Sequence, residues 1–164
     1  MNVATLKRLV GASLAAALLA GTPTLTVAFG SSSPRSSRPE DADVAAARKA
    51  IDAKDWSGAI QLLERAKSRL PSSADVYNLL GFAERQRGNL EAAFAHYETA
   101  LRLDPKHRGA HEYVGEAWLL AGNLSKAEEH LAALNKLCPS SCEEYRDLER
   151  SIAEYRRAHP APAR

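Results

Sequence analysis

Both cysteines of the chain lie in one short stretch, "LCPSSCEEY", as Cys138 and Cys142 with three residues between them. Such a pair suits three chemistries: a structural disulfide, a reactive low-pKa thiol, or soft ligation of a metal. Each makes its own demand. A staple needs Cα atoms about 4.4–6.8 Å apart and an oxidising compartment. A reactive thiol needs a helix N-terminus or a neighbouring cation, which Cys142 meets if a helix begins there. A metal needs more ligands, and His130 is the nearest histidine upstream. The spacing is not the C-x-x-C of thiol oxidoreductases, and C-x-x-C-H, the haem-attachment signature, is absent.

Compartment is read from the N-terminus. Lys7 and Arg8 precede "LVGASLAAALLAG", an apolar run of signal-peptide length, and Thr26 and Ala28 offer small residues for cleavage after Ala28. Residues 1–28 are therefore predicted to be a signal peptide, with an uncleaved anchor over Leu9 to Phe29 as the alternative. Pro23 and three threonines disfavour the anchor. Gly21 stands where a lipoprotein would carry cysteine, and Lys7-Arg8 is not a twin arginine. The expected location is exported and periplasmic. Residues 29–39, "FGSSSPRSSRP", read as a Ser/Pro-rich linker.

Charge narrows the partners. The chain has 22 Lys and Arg against 20 Asp and Glu, and removal of residues 1–28 takes only Lys7 and Arg8, leaving a neutral protein. A protein that neutralises many phosphates needs a basic excess, so neither nucleic acid nor an anionic membrane surface is expected. No P-loop, dinucleotide fingerprint or G-x-S-x-G occurs, and the serines at 31–33, 36 and 37 have no partner pattern. No enzyme, cofactor or small-molecule substrate is predicted. His107 and His111 are four apart, a metal-compatible spacing, but a packing role for His111 is the expectation; His96 and His130 occupy equivalent positions 34 residues apart.

That offset runs through the chain. "KDWSGAIQLLERAKSRLP" (54–71), "GNLEAAFAHYETALRLDP" (88–105) and "GNLSKAEEHLAALNKLCP" (122–139) align at 34 residues. Shared columns hold Ala59, Ala93 and Ala127; Leu63, Tyr97 and Leu131; Pro71, Pro105 and Pro139; and, upstream, Ala47, Gly81 and Gly115. Helical spacing of Ala93, Tyr97, Ala100 and Leu101 gives one apolar stripe, and Gly88-Asn89 and Gly122-Asn123 sit where a helix end needs a left-handed residue.

These columns resemble the tetratricopeptide repeat. The middle repeat matches best, through Tyr77, Leu80, Gly81, Ala93, Tyr97, Ala100 and Pro105, with Glu84 departing from the pattern. The resemblance implies an all-α solenoid of helical hairpins over 40–141, as repeats 40–73, 74–107 and 108–141. Asp43 and Ala46 replace the bulky pair of the first repeat, as suits a polar N-terminal cap. Residues 142–158 read as a capping helix, with Tyr145, Leu148, Ile152 and Tyr155 on its apolar stripe and Ser141 with Glu144 as a capping box, and 159–164 as a tail. In this register Cys138 ends one helix and Cys142 opens the next, so a structural disulfide is the expected chemistry; a thiol-disulfide or metal-handling protein is the alternative. The "CEEYRDL" close is also similar to that of small exported bacterial repeat proteins.

The family's concave positions become Asp41, Val44, Arg48, Ile51 and Asp52; Asp75, Asn78, Phe82, Arg85 and Gln86; and Gly109, Glu112, Glu116, Leu119 and Leu120. Phe82, Ile51 and Leu119 are read as apolar residues on a face the core does not require. The resemblance thus implies an interaction adaptor or assembly scaffold that binds a peptide or helix of another exported or membrane protein. Arg48, Asn78, Phe82, Arg85, Glu112 and Glu116 are the candidate contacts, Arg85 as one whose charge reversal spares the fold. The family's carboxylate-clamp positions hold Val44, Arg48, Leu79, Gly109 and Tyr113, which removes the clamp except at Arg48 and argues against an acidic C-terminal tail as ligand. A covering by the C-terminal helix or by a second copy is the competing use of this face, and self-association is a further expectation.

Overall fold

A computed structural model describes residues 40–138 and 142–160. The expected signal peptide, the linker and Ser141 lie outside them. The described residues form seven helices and no strand: α1 (Ala42–Asp52), α2 (Trp56–Arg69), α3 (Ala74–Gln86), α4 (Leu90–Leu103), α5 (Arg108–Leu120), α6 (Leu124–Leu137) and α7 (Glu143–Ala158).

Local chemistry sets the helix starts. Asp41, Asp55, Ser73, Asn89, His107 and Asn123 each accept a hydrogen bond from a backbone N–H of the turn that follows, satisfying a donor the helix cannot. α7 departs from this: Cys142 is its N-cap and makes no side-chain capping bond. The capping box expected from Ser141 and Glu144 is therefore out of register by one residue, and Glu144 instead meets Arg108 at 3.5 Å. Gly88 and Gly122, at φ 83° and 77°, reverse the chain between paired helices; in the first pair Lys54 takes the same conformation at φ 58°.

Each helix packs on its sequence neighbours, and α3 with α5, and α5 with α7, are also adjacent. α1, α3, α5 and α7 thus make one layer and α2, α4 and α6 the other. The small columns explain the close approach. A Cβ on Gly81 would lie 2.6 Å from the Tyr97 ring, and one on Gly115 would lie 2.6 Å from Leu148 of α7. Tyr97, Leu63, Leu80, Leu134, Leu148 and Val76 are the largest fully buried side chains, so the core follows the interlayer seam from α1 to α7. α7 inserts Leu148 and Ile152, flanked by the half-buried Tyr145 and Tyr155. At the opposite end Asp43 is held by Arg65 at 2.8 Å and by Arg69 at 2.6 Å, so ion pairs stand where the later repeats place a bulky pair.

One concave-face expectation needs correction. Leu119 is 8% exposed and belongs to the core beneath α7, because the cap covers that end of α5. Its neighbour Leu120 is the exposed apolar residue, at 62%.

Candidate functional site

The face formed by α1, α3, α5 and α7 carries several cavities, two of which adjoin and share Tyr113. The first, about 260 Å³, is lined by Arg48, Ile51, Asp52, Leu79, Phe82 and Tyr113. Its floor is aromatic: the Phe82 and Tyr113 ring centroids are 5.0 Å apart, and Trp56 meets Phe82 edge-on at 6.0 Å. Arg48 stands at the rim, half-exposed and paired with Glu40 at 2.9 Å. An exposed pair of this kind contributes only about 0–1 kcal/mol, so the guanidinium is free to exchange Glu40 for another anion.

The second cavity, about 270 Å³, is lined by Asn78, Gly109, Glu112, Tyr113, Glu143, Glu144 and Asp147. Tyr113 belongs to both. Glu112 is buried, and desolvation, followed by the charges of Glu116, Asp147 and Glu144, pushes its carboxyl up to about 8; Arg85 acts in the opposite direction.

Arg85 lies in the wall under these cavities rather than in either. Its side chain is 9% exposed, it holds Glu116 at 2.7 Å, and its guanidinium stands 5.4 Å from the Phe82 ring and 5.7 Å from that of Tyr113. Beside it the Tyr97 hydroxyl is pushed upward by burial, with the Arg85 charge pulling the other way. Arg85 therefore holds rings and carboxylate in place. The expectation that its charge reversal spares the fold does not survive this burial. Glu116 is likewise engaged, also accepting from the Ser151 hydroxyl of α7 at 3.3 Å.

The six sequence candidates thus fall into three places: Arg48 and Phe82 in the first cavity, Asn78 and Glu112 in the second, and Arg85 with Glu116 as an ion pair beneath. Sequence reading placed Tyr113 at a clamp position but not among the contacts, and it missed the carboxylates of α7. Extending the 34-residue register past 141 would have found the latter, since Glu143 shares a column with Gly109, and Asp147 with Tyr113.

The histidines separate. His107 Nδ1 accepts from the Ala110 N–H, which leaves Nε2–H to donate to Asp75 at 3.1 Å. His111 Nε2 donates to the Pro105 carbonyl at 3.1 Å, so its Nδ1 accepts from His130 Nδ1–H at 3.0 Å. His107 and His111 share no ligand position, and His130 faces His111 rather than Cys138. Burial, and then the His111 charge, lower the His130 pKa to about 4.

Cys138 and Cys142 are paired, with S–S 2.07 Å and Cα atoms 5.8 Å apart, and each is 8% exposed in the α5–α6–α7 core. Glu144 Oε lies within 4.8 Å of both sulfurs. Paired sulfurs present no thiolate to a metal or a substrate.

Family models described as tetratricopeptide repeat match residues 44–107 and 84–152, so that together they run from α1 into α7. The chain belongs to the tetratricopeptide repeat family. Solved structures agree on the fold. The Arabidopsis OM64 TPR domain is 17% identical at TM-score 0.63, over 69% of this chain and 93% of that one. A yeast Sti1 TPR2B domain, in complex with pHsp70, is 18% identical at TM-score 0.63, covering 72% and 99%. The Yersinia enterocolitica type III secretion chaperone SycD, in complex with a peptide of the translocator YopD, is 17% identical at TM-score 0.61, covering 71% and 88%. Within the tetratricopeptide frame, the two cavities described above lie on the layer of first helices. Among the described residues no helix is long and apolar enough to cross a membrane.

Proposed function

We propose that this tetratricopeptide repeat protein is a non-enzymatic adaptor that holds a segment of a partner protein against the α1–α3–α5–α7 layer. The observation that carries this reading is the first cavity: an aromatic floor of Phe82 and Tyr113, locked by a buried arginine and rimmed by the exposed Arg48. Aromatic and arginine side chains in a preformed concavity are what anchors of a binding partner require. The peptide complexes of the similar SycD and Sti1 domains support the same use of the fold here. The clamp positions occupied by Val44, Leu79, Gly109 and Tyr113 argue against an acidic C-terminal tail as the ligand.

The N-terminal segment supports export, with the adaptor working in the periplasm on another exported or membrane protein. There the Cys138–Cys142 pair serves as a staple between α6 and α7.

Crosslinking in intact cells tests the adaptor reading. The tagged full chain is compared with a Phe82→Ala, Arg48→Glu variant whose helix content is checked by circular dichroism. A partner recovered with the wild type and lost with the folded variant is the expected result. Recovery of the same partner by both would overturn the assignment of the face.

A further inference from the structure

The second cavity gathers more acidic groups than the fold supplies with cations. Of the four carboxyl groups lining it, Glu144 has Arg108 at 3.5 Å and Asp147 has Arg150, whereas Glu112 and Glu143 have no ion-pair partner among the described residues. Glu112 is only 9% exposed. Arg85, the buried cation of this region, is committed to Glu116.

A second, independent observation points the same way. Asn78 on α3 is 6% exposed and lines the same cavity, and its buried Oδ1 has no hydrogen-bond partner. A buried acceptor left without a donor is costly, and a buried carboxyl stays protonated unless a cation meets it. The cavity therefore sets the Asn78 amide of α3, with its unpartnered oxygen, against carboxyl groups of α5 and α7, and no cationic side chain lines it. An ammonium offers three donors around a point and suits single acceptors on separate helices, while a guanidinium fork suits one bidentate carboxylate.

We infer that the α3–α5–α7 cavity is a subsite for a lysine side chain of the bound partner segment, its ammonium seated between Glu112 and Asn78 with Glu143 and Asp147 at the mouth. The inference rests on the adaptor reading for the source of the lysine, and it adds the chemistry that the partner must present. Tyr113 joins the two cavities, so a segment that places an apolar or aromatic residue on Phe82 and a lysine nearby engages both. The entering charge also relieves Glu112, whose carboxyl is held up to about 8 by burial and by the surrounding Glu116, Asp147 and Glu144.

The test uses isotope-labelled full chain and n-butylammonium, which reproduces the end of a lysine side chain. The amides of Asn78, Gly109 and Glu112 are followed by NMR, with n-butanol, n-butylguanidinium and calcium chloride as parallel titrants. Saturable shifts with n-butylammonium, absent with n-butanol and weakened on the order of tenfold by Glu112→Gln, are expected. Equal shifts with n-butanol, no effect of Glu112→Gln, or saturation by the guanidinium or by calcium alone would overturn the lysine subsite. Glu143→Gln at the mouth is the second variant, expected to weaken binding less, and it keeps the test open if Glu112→Gln does not fold. Capture that is lost with Phe82→Ala but unchanged by Glu112→Gln would refute the subsite and leave the adaptor standing. The converse, ammonium binding with capture indifferent to Phe82→Ala, would refute the adaptor instead.

Discussion

The α3–α4 and α5–α6 hairpins are built on the same 34-residue register, yet their first helices face the cavities with opposite chemistry. Frame columns keep their kind: Gly81 and Gly115 allow close packing, Leu80 and Val114 fill the core, and Ala93 and Ala127 are buried without remainder. Other columns of the first helices do not, whether they line a cavity, as Asn78, Phe82 and Glu112 do, or lie in the wall beneath, as Arg85 and Glu116 do. Asn78 becomes Glu112, Phe82 becomes Glu116, Arg85 becomes Leu119 and Gln86 becomes Leu120. Stacking keeps the first set alike in both hairpins, and the proposed adaptor face draws its ligand chemistry from columns that vary between them.

The Arg85 column sharpens that contrast most. In α3 it holds a buried arginine paired with Glu116, and in α5 the buried Leu119. Arg85→Glu sets two carboxylates together in a buried place and is expected to cost about 3–5 kcal/mol in denaturant unfolding, the penalty of breaking a buried pair. A variant of wild-type stability would show that this column is not a frame element in α3.

The cap adds a second difference, since among the described residues the α5–α6 hairpin alone is followed by a helix joined to it by paired cysteines, Cys138 and Cys142. Replacing Cys138 and Cys142 together by serine opens a short loop, which the chain-entropy model values at about 2 kcal/mol. Faster amide exchange over the first turn of α7, with α3 and α4 unchanged, is the expected pattern. Uniform exchange along the chain would contradict a local staple.

Turn chemistry differs in the first hairpin. Lys54 holds the left-handed conformation that Gly88 and Gly122 adopt without strain. Lys54→Gly should stabilise the protein by about 1 kcal/mol, read as a rise in the denaturation midpoint.

The smallest effects are those of pH, and they too distinguish equivalent positions. His130 has its pKa lowered from 6.5 to about 4, by burial and then by His111. Its contribution is complete above pH 6.5 and is lost as pH falls toward 4. Glu112 is raised from 4.5 to about 8, so its contribution is complete below 4.5 and is lost as pH rises through 8. Stability should therefore decline on both sides of an intermediate pH. Glu112→Gln should flatten the alkaline limb, and His130→Gln the acid one. His96, lowered chiefly by burial and with Tyr77 rather than a second histidine as its ring neighbour, should contribute less than His130.

Much of this architecture was legible in the sequence because the repeat writes its frame in residue size. Ala, Gly and Leu at fixed offsets predict the hairpins, and the Gly-Asn pairs predict their turns. The cavities were less legible, because exposure depends on what the next helix covers. Leu119 reads as an open concave residue until α7 is placed over it, and Arg85 reads as a surface charge until its contacts with Glu116, Phe82 and Tyr113 are seen. The Cys142 start of α7 was obscured by a plausible capping box one residue earlier. His130 could be paired with Cys138 on paper, but the equivalence of Tyr77–His96 with His111–His130 shows which ring it meets.

Site-specific photocrosslinking tests the central claim most directly. A photoreactive residue is placed at Arg48 or Asp52, which line the first cavity, and at Glu91 or Ala95 on the outer helix α4, all in the full chain. The adaptor account predicts a discrete protein adduct from Arg48 and Asp52, diminished by Phe82→Ala, and none from Glu91 and Ala95. Equal adducts from both layers, or adducts from α4 alone, would contradict it.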